Sequence, residues 1–314
     1  MRSSICCGRA HNLFYMNRHK LILIFLAAIS FAACSSSNDI SDNGENGGTK
    51  DSVTVLNSNK NDAVKNAESS RLEFPHLKAN SILLVHKANG EVNYSVEWDP
   101  VKYSQRWSCY QLYRSNMTNS VSRYYSKNNQ YPMDPDLNSK YYLDDDYFYG
   151  SGYDHGHICP SADRRNNNES QYQTFYLTNM QPQLNSFNAA VWENMEDKVR
   201  EIASRNGYTF CDTLYVCKGG TIDSENNIIK RISGKLIVPK YFFMALLVVK
   251  NGQYHAMAFW VEHKANADKD LAKYAITIDD LEAKTGMDFF CNLPDVREEK
   301  IESTPVNATY WQLK

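Results

Sequence analysis

Short segments rich in apolar side chains recur along the chain and predict its strands. They span residues 81–86, 92–98, 106–114, 213–220, 235–239, 242–249 and 254–261. β-Branched and aromatic side chains are frequent in these segments, as is typical of strands that bury at least one face. Asn89-Gly90 and Asn251-Gly252 separate two pairs of segments and favour tight hairpin turns. The pattern therefore predicts a mainly antiparallel sheet.

Between residues 188 and 206, apolar side chains recur at helical spacing. Its apolar stripe consists of Val191, Met195, Val199 and Ile202, which lie one turn apart on the same face of a helix. Gly207 follows, where a glycine often ends a helix.

A second, shorter helix is predicted to begin near residue 277. Thr277 and Asp280 resemble a capping box, and Gly286 would end the helix. Residues 174–180 are predicted to form a strand or an extended turn. Strands thus dominate and helices are few, which predicts an α+β fold with helices flanking the sheet.

The N-terminal segment has the pattern of an export signal. Arg18 and Lys20 precede the apolar residues 21–29, and small residues lead to Cys34. This order resembles a bacterial lipoprotein signal, so residues 1–33 are predicted to be removed and Cys34 to carry a lipid. An ordinary signal peptide and a membrane anchor are the alternatives, although the apolar run is shorter than the roughly 20 residues that span a membrane.

The residues after Cys34 are rich in Ser, Asn, Asp and Gly and contain few large apolar side chains. Such a composition does not bury enough surface to offset the entropy of ordering. We therefore predict a flexible tether over residues 34–73 and a folded domain over residues 74–314.

Overall charge excludes one class of nucleic-acid-binding protein. The 314-residue chain has a formal net charge of -2, so it lacks a globally basic surface. A local basic groove remains compatible with this charge, because binding depends on where the charges lie.

Five cysteines fall within the predicted domain: Cys109, Cys159, Cys211, Cys217 and Cys291. In an exported protein, one or two disulfides could form among them, and the odd number leaves at least one thiol. The sequence does not indicate which cysteines would pair.

The densest group of polar side chains lies between Asp154 and Arg164. Asp154, His155 and His157 surround Gly156, and Pro160 follows. A short strand leading into a loop would present imidazole here. Zinc binding by His155, His157 and Cys159 is an alternative by residue type, but no fourth ligand has the usual spacing.

The predicted helix adds amide, carboxylate and guanidinium groups. Asn188 and Glu196 are eight residues apart, which would place them on a similar helix face, and Arg200 lies one turn after Glu196. An amide oxygen with bound waters suits Mg²⁺, a histidine can accept a proton from water, and an arginine can hold a phosphate oxygen. Together these groups could form a phosphodiesterase site.

Three motifs in this order resemble one known family. They are Asp154-His155-Gly156-His157, residues 177–183 and residues 188–196. They are similar to the DNA/RNA non-specific endonucleases, the ββα-metal or His-Me finger nucleases of the Serratia nuclease and endonuclease G type. The resemblance covers roughly residue 74 to the C-terminus and implies a ββα-metal core on the predicted antiparallel sheet.

The resemblance also implies roles for particular residues. His157 matches the general base that activates water, and Asn188 matches the protein ligand of Mg²⁺, for which Mn²⁺ can substitute. Glu196 matches an acid that orients the waters of the metal, Arg200 an arginine that contacts phosphate, and Asn179 an asparagine that supports the site.

One position departs from the family pattern. The usual motif is Asp-Arg-Gly-His, whereas this chain has His155 in place of the arginine. A neutral imidazole cannot reproduce a charged, forked guanidinium. Asp154, His155 and Arg164 are nevertheless candidate substrate-binding residues, and Arg164 or Arg165 could supply the missing charge.

The resemblance implies a Mg²⁺-dependent endonuclease that cleaves DNA and RNA with weak sequence selectivity and leaves 5′-phosphates. The predicted signal implies export and a lipid anchor at a bacterial membrane, on the periplasmic or the cell-surface side. The His155 departure favours one alternative, an inactive lipoprotein that keeps the fold and binds nucleic acid or a partner.

Overall fold

The structure is a computed structural model that describes residues 56–313. The predicted signal peptide and the first part of the predicted tether, residues 34–55, lie outside the described residues. None of the helices within residues 56–313 has the length and apolar character needed to cross a membrane.

A seven-stranded sheet forms the centre of the domain, and every neighbouring pair of its strands is antiparallel. Its strands, in spatial order, are β1 (Ile82–Ala88), β2 (Glu91–Asp99), β3 (Ser104–Leu112), β6 (Thr213–Gly220), β9 (Tyr241–Lys250), β10 (Gln253–Glu262) and β11 (Ala275–Ile276). The predicted antiparallel α+β architecture is confirmed.

Both predicted hairpin turns are present. Asn89 and Gly90 join β1 to β2 with φ angles of 52° and 83°, and Asn251 and Gly252 join β9 to β10 with φ angles of 48° and 73°. Two consecutive residues with positive φ give the turn that suits the twist of paired strands. Asparagine and glycine tolerate this conformation better than other residues, which explains why the dipeptides predicted the turns.

Helices cover both faces of the sheet, so that a hydrophobic core lies on each face. Helix α3 (Glu193–Tyr208) packs on one face through Met195, Val199 and Ile202. Helices α4 (Ile278–Thr285) and α5 (Asp295–Glu302) pack on the other face. The remaining helices are the short α1 (Asn168–Gln173), α2 (Asn185–Phe187) and α6 (Ala308–Trp311).

Helix α4 has the ends that the sequence predicted. The Thr277 side chain accepts a hydrogen bond from the backbone N–H of Asp280 at 3.0 Å. Gly286 follows the helix with a φ of 66°. The cap satisfies a backbone donor that has no partner inside the helix, and glycine ends the helix at little steric cost.

Two small sheets lie outside the central one. Strand β4 (Asp154–His157) pairs with β5 (Met180–Gln183), and β7 (Ile228–Ile232) pairs with β8 (Leu236–Pro239). The prediction of extended chain over residues 174–180 is only partly right, because Leu177–Asn179 form a 3₁₀ turn and the strand begins at Met180.

The predicted helix over residues 188–206 is not continuous. Ala189 and Ala190 leave helical geometry, with ψ angles of 27° and -107°, inside a wide turn spanning Asn188–Trp192. Regular helix begins again at Glu193. At the other end, Asn206 and Gly207 adopt left-handed backbone angles, consistent with the predicted stop at Gly207.

The predicted tether extends too far toward the folded domain. Residues between 57 and 73 pack against the C-terminal part of the chain: the Asn57 side chain donates to the Leu293 carbonyl at 2.8 Å, and the Asn59 side chain donates to Asp288 Oδ2 at 3.0 Å. Asparagine side chains add hydrogen bonds to the few apolar contacts of this segment, such as that of Leu72. Composition alone therefore misplaced the start of the folded chain.

The five cysteines of the domain are all buried and unpaired. Cys109 and Cys217 lie opposite each other on β3 and β6, yet their thiols are free in the structure. Burial raises the pKa of both thiols well above the ordinary value, so they are weak nucleophiles. They serve as small apolar residues in the core.

Candidate active site

A cavity of about 620 Å³ opens beside the β4–β5 ribbon. Its wall includes Asp154, His155, His157, Asn188 and Arg123, together with Tyr131, Phe148, Tyr149, Gly150, Gly152 and Tyr153. The structure thus brings together four of the residues singled out from the sequence and adds Arg123.

Strand geometry places both histidines on the cavity wall. His155 pairs with Pro182 and His157 with Met180 across the ribbon, and residues two apart in a strand share a face. Gly156 lies between them, and a Cβ atom built there would come within 2.3 Å of the Gln183 side chain. The motif requires glycine because Gln183 occupies that space.

Asn179 fixes the segment that follows His157. Its Oδ1 accepts hydrogen bonds from the Cys159 backbone N–H at 2.8 Å and the Ser108 hydroxyl at 3.1 Å. Its Nδ2 donates to the carbonyls of Cys159 and Thr174, both at 2.8 Å. All of its hydrogen-bonding groups are used inside the protein, which fits the supporting role implied by the resemblance.

One ring nitrogen of His157 has no hydrogen-bond partner among the described residues. This atom, Nε2, is nearly inaccessible, although part of the ring lines the cavity. Burial, followed by the positive charge of Arg123, lowers the pKa of His157 to about 3, and a hydrogen bond to the backbone of His155 opposes this shift only in part. The imidazole is therefore neutral near pH 7 and able to accept a proton.

Asp154 holds the amide of Asn188. The Asn188 Nδ2 donates to Asp154 Oδ2 at 3.1 Å, and Asn185 Nδ2 donates to the same oxygen at 3.0 Å. These bonds join β4 to the turn that precedes α3. The bond from Asn188 to Asp154 orients the Asn188 side chain so that its amide oxygen is available to a cation.

The helical kink separates Asn188 from Glu196. The continuous helix on which their predicted shared face was based is absent, because Ala189 and Ala190 interrupt the 3.6-residue repeat. Glu196 instead accepts a bond of 2.6 Å from the Nζ of Lys218, a fully buried lysine on β6. Burial raises the pKa of Glu196, and the charge of Lys218 opposes that increase.

Arg200 is engaged by carboxylates of its own surroundings. Its Nη1 donates to Asp163 Oδ1 at 2.8 Å, and its Nη2 donates to Asp197 Oδ1 at 2.5 Å. Burial lowers its pKa, but Asp163 outweighs burial and raises it above the ordinary value. A phosphate contact by Arg200 would have to share the guanidinium with these partners.

His155 is packed between two aromatic rings. Its imidazole stacks on Tyr131 at 3.7 Å and on Phe148 at 4.2 Å between ring centroids. Its Nε2 lies 2.9 Å from a carboxylate oxygen of Asp146. His155 therefore tethers the 146–149 loop to the cavity wall, and its Nε2 is occupied by Asp146.

Arg164 and Arg165, the predicted substitutes for the family arginine, also bind groups within the protein. Arg164 is buried and donates to the carbonyls of Asn93, Asp163 and Gln111, and Arg165 donates to the Val121 carbonyl. Substrate binding by Arg164 is not supported, because its donors are spent on backbone oxygens. The presence of an arginine in the sequence does not indicate that its side chain is buried.

Arg123 is the functional candidate that the sequence did not reveal. It comes from the long polar connection between β3 and β4, and its guanidinium lies 4.9 Å above the Phe175 ring at the cavity wall. It also donates to the Ser161 hydroxyl. The signal in sequence was weak, because an arginine in a Tyr- and Asn-rich loop has no pattern that ties it to a site 34 residues later.

A hard cation fits the donors of the cavity. The Asn188 amide oxygen has no hydrogen-bond donor among the described residues, since Asp154 binds only its Nδ2. One amide oxygen beside a carboxylate, in a cavity with room for water, suits Mg²⁺ because this ion keeps much of its hydration shell. Zinc is not supported: the described clusters of His, Cys and carboxylate ligands do not include His155, His157 or Cys159.

A β-ribbon carrying histidine, followed by a helical segment carrying the metal-ligand candidate, is the arrangement of a ββα-metal nuclease. The family model for DNA/RNA non-specific endonucleases matches residues 85–296. The chain belongs to that family.

Named relatives and one solved structure agree with this assignment. A nuclease of Nostoc sp. is 32% identical over 165 residues, covering 50% of this chain and 57% of that protein. The mitochondrial nuclease EXOG of Xenopus laevis is 26% identical, covering 66% and 59%, and human mitochondrial endonuclease G is 28% identical, covering 46% and 51%. The matches span about half the length of these relatives.

The fold is also that of EndoG in its solved complex with EndoGI. That likeness has a TM-score of 0.57 at 19% identity and covers 71% of this chain and 92% of the EndoG chain. At this identity it supports the architecture alone.

Proposed function

We propose that this protein is a metal-dependent endonuclease that hydrolyses phosphodiester bonds of DNA and RNA. The observation that carries the proposal is the cavity whose wall includes both the His157 imidazole and Asn188, with Asp154 bound to the Asn188 amide. Family membership supplies the class of reaction.

His157 acts as the general base. Its neutral imidazole accepts a proton from the water that attacks phosphorus, and the phosphorus–O3′ bond breaks to leave a 5′-phosphate and a 3′-oxygen that takes up a proton from solvent. Such proton transfer typically contributes about 10²–10⁴-fold to a rate. Asn179 keeps the ring in place by fixing the backbone of Cys159 two residues later.

The cation is Mg²⁺, with Mn²⁺ able to replace it, and Asn188 is its protein ligand. When bound, the ion stabilises negative charge on the phosphate and on the leaving oxygen. Asp154 holds the Asn188 amide in the required orientation. Glu196, kept close by Lys218, provides a carboxylate that can orient water.

Arg123 supplies the positive charge that the arginine of the usual family motif would supply. Its guanidinium carries a permanent charge at the cavity wall and can hold a phosphate oxygen. Arg200 on α3 would contact phosphate while its guanidinium remains bound to Asp163 and Asp197.

Substrate selectivity is expected to be broad. The cavity wall offers aromatic rings and backbone, which contact sugar and phosphate of any sequence, and no base-reading module is present among the described residues. Cys34 is proposed to carry a lipid that anchors the exported protein to a bacterial membrane, on the periplasmic or the cell-surface side.

The test is digestion of supercoiled plasmid and of a long RNA by the full chain. We expect cleavage of both with Mg²⁺, none with a chelator, 5′-phosphate ends, and no discrete bands from a long duplex. Asn188→Ala should abolish cleavage at Mg²⁺ concentrations that saturate the wild type. Failure of the wild type to cleave across a pH and metal series would refute the enzymatic proposal in favour of a binding protein.

A further inference from the structure

A second cluster of carboxylates lies on the face of the sheet opposite to α3. Asp279 and Glu282 on α4 and Glu302 at the end of α5 each place a carboxylate oxygen within 4.8 Å of the others. Glu298 and Asp288 lie close enough to act on the same groups electrostatically. None of these five carboxylates forms an ion pair with a described lysine, arginine or histidine.

Glu302 is the most informative member of this cluster. Only 6% of its surface is exposed, and its Oε1 atom is buried with no hydrogen-bond partner. A buried carboxylate without a partner is costly. Glu302 lies in the last turn of α5. This position adds to the free-energy cost of its charge, because the C-terminal end of a helix disfavours negative charge.

Glu282 is held by a backbone hydrogen bond, whereas Asp279 faces solvent. Glu282 Oε1 accepts a hydrogen bond from the Phe289 backbone N–H at 2.7 Å, which fixes that carboxylate toward α5. Asp279 is exposed in the first turn of α4, so the cluster is open to solvent on one side. The group therefore combines one buried, one half-buried and one exposed carboxylate.

We propose that Asp279, Glu282 and Glu302 bind a Ca²⁺ ion that joins α4 to α5. Calcium takes oxygen ligands at about 2.3–2.6 Å in flexible geometry, so oxygens up to about 4.8 Å apart can contact one ion. The ion neutralises charges that no basic side chain balances, and water completes its shell on the exposed side. This site is structural and independent of the proposed catalytic cation at Asn188.

Protonation is the competing explanation for the cluster. Burial, followed by the neighbouring carboxylates Glu282, Glu298 and Asp288, raises the pKa of Glu302 to about 10. Shared protons could therefore replace the ion. The two explanations differ in their response to calcium, because only the first links calcium to stability.

The experiment uses the full chain carrying Asn188→Ala, so that the catalytic position does not contribute. Thermal unfolding is compared in chelator and in about 5 mM CaCl₂ or MgCl₂, above the ~10⁻⁴–10⁻³ M dissociation constants of weak extracellular calcium sites. We expect calcium to raise Tm by about 5 °C or more and magnesium to raise it less. Calorimetric titration should give one calcium ion per chain.

Glu302→Gln should remove the calcium-dependent increase in Tm, whereas Glu299→Gln, an exposed residue of the same helix, should retain it. Where Glu302→Gln does not fold, Asp279→Asn serves as the second variant and should weaken the increase. No increase with calcium in the Asn188→Ala chain, or an increase that survives Glu302→Gln, would overturn the site. An equal increase with magnesium would overturn its assignment to calcium.

Discussion

The Asn188 side chain donates a hydrogen bond of 3.1 Å to the carboxylate of Asp154 across the boundary between β4 and the kinked turn before α3. This contact orients the proposed metal ligand by the residue that opens the histidine motif. The two motifs, 34 positions apart in sequence, therefore act as one unit.

Asp154→Asn should weaken metal binding without changing the fold. The substitution removes the charge that orients Asn188, and loss of such a supporting contact typically costs about 10–100-fold in metal affinity or activity. We expect cleavage at low Mg²⁺ to fall by that factor and to recover in part at high Mg²⁺.

Asn185→Ala is the matched control, because Asn185 donates to the same Asp154 oxygen from a more exposed position. It should leave the Mg²⁺ dependence nearly unchanged. Equal Mg²⁺ dependence of Asp154→Asn and the wild type would show that Asp154 does not position the ligand.

His157→Ala should reduce cleavage by about 10²–10⁴-fold, measured under single-turnover conditions. His255→Ala, at an exposed position of β10, should not. Activity of His157→Ala close to the wild type would remove His157 as the base and leave family membership intact.

The pH dependence of stability gives a second test of the His157 environment. The folded-state pKa of His157, about 3, lies below the ordinary value of 6.5, so between these values the unfolded chain binds the proton. Stability rises with pH across this window and is complete above about 6.5. His157→Gln should therefore raise Tm more at pH 5 than at pH 8, as measured by calorimetry.

His86 should show the opposite dependence. Burial lowers its pKa, but Asp134 and Asp136, 3.1 and 3.3 Å from its two ring nitrogens, outweigh burial and raise it above the ordinary value. The tyrosines that face the ring, Tyr94 and Tyr176, are uncharged near neutral pH.

The stability that His86 contributes is thus present below about pH 6.5 and lost as pH rises through its folded-state pKa. His86→Gln should lower Tm more at pH 5 than at pH 8. An equal loss at both values would mean that the ring is neutral in the folded protein.

Arg123→Ala should weaken substrate binding. Hydrogen bonds to charged groups contribute about 1.5–3 kcal/mol, so we expect KM for nucleic acid to rise by roughly 10–100-fold. Arg123→Lys should recover only part of the loss, because an ammonium does not form the forked contact. Arg114→Ala, an exposed arginine of the same connection, is the control and should leave KM unchanged.

Local patterns predicted those parts of the fold whose causes are local. The Asn-Gly turns, the Thr277 cap and the stop at Gly207 each depend on a few adjacent residues, and each is present. The long strands of the central sheet were predictable because apolar side chains recur along them.

Contacts between distant residues account for what the sequence did not predict. The Glu196–Lys218 pair requires β6 to lie beneath α3, and the burial of Arg164 depends on carbonyls of β2 and β3. The kink lies at two alanines, Ala189 and Ala190, and not at a glycine or proline, so the sequence did not indicate it. Arg123 reaches the cavity through a loop whose path no periodicity describes.

The β4–β5 ribbon carries the histidine motif on a sheet separate from the seven-stranded one. Segments with fewer cross-strand partners open at lower free energy than a large sheet does. Amide hydrogens of Asp154–His157 should therefore exchange faster than those of β6 and β9. On heating, the protein would lose its function while most of its β-structure still persists.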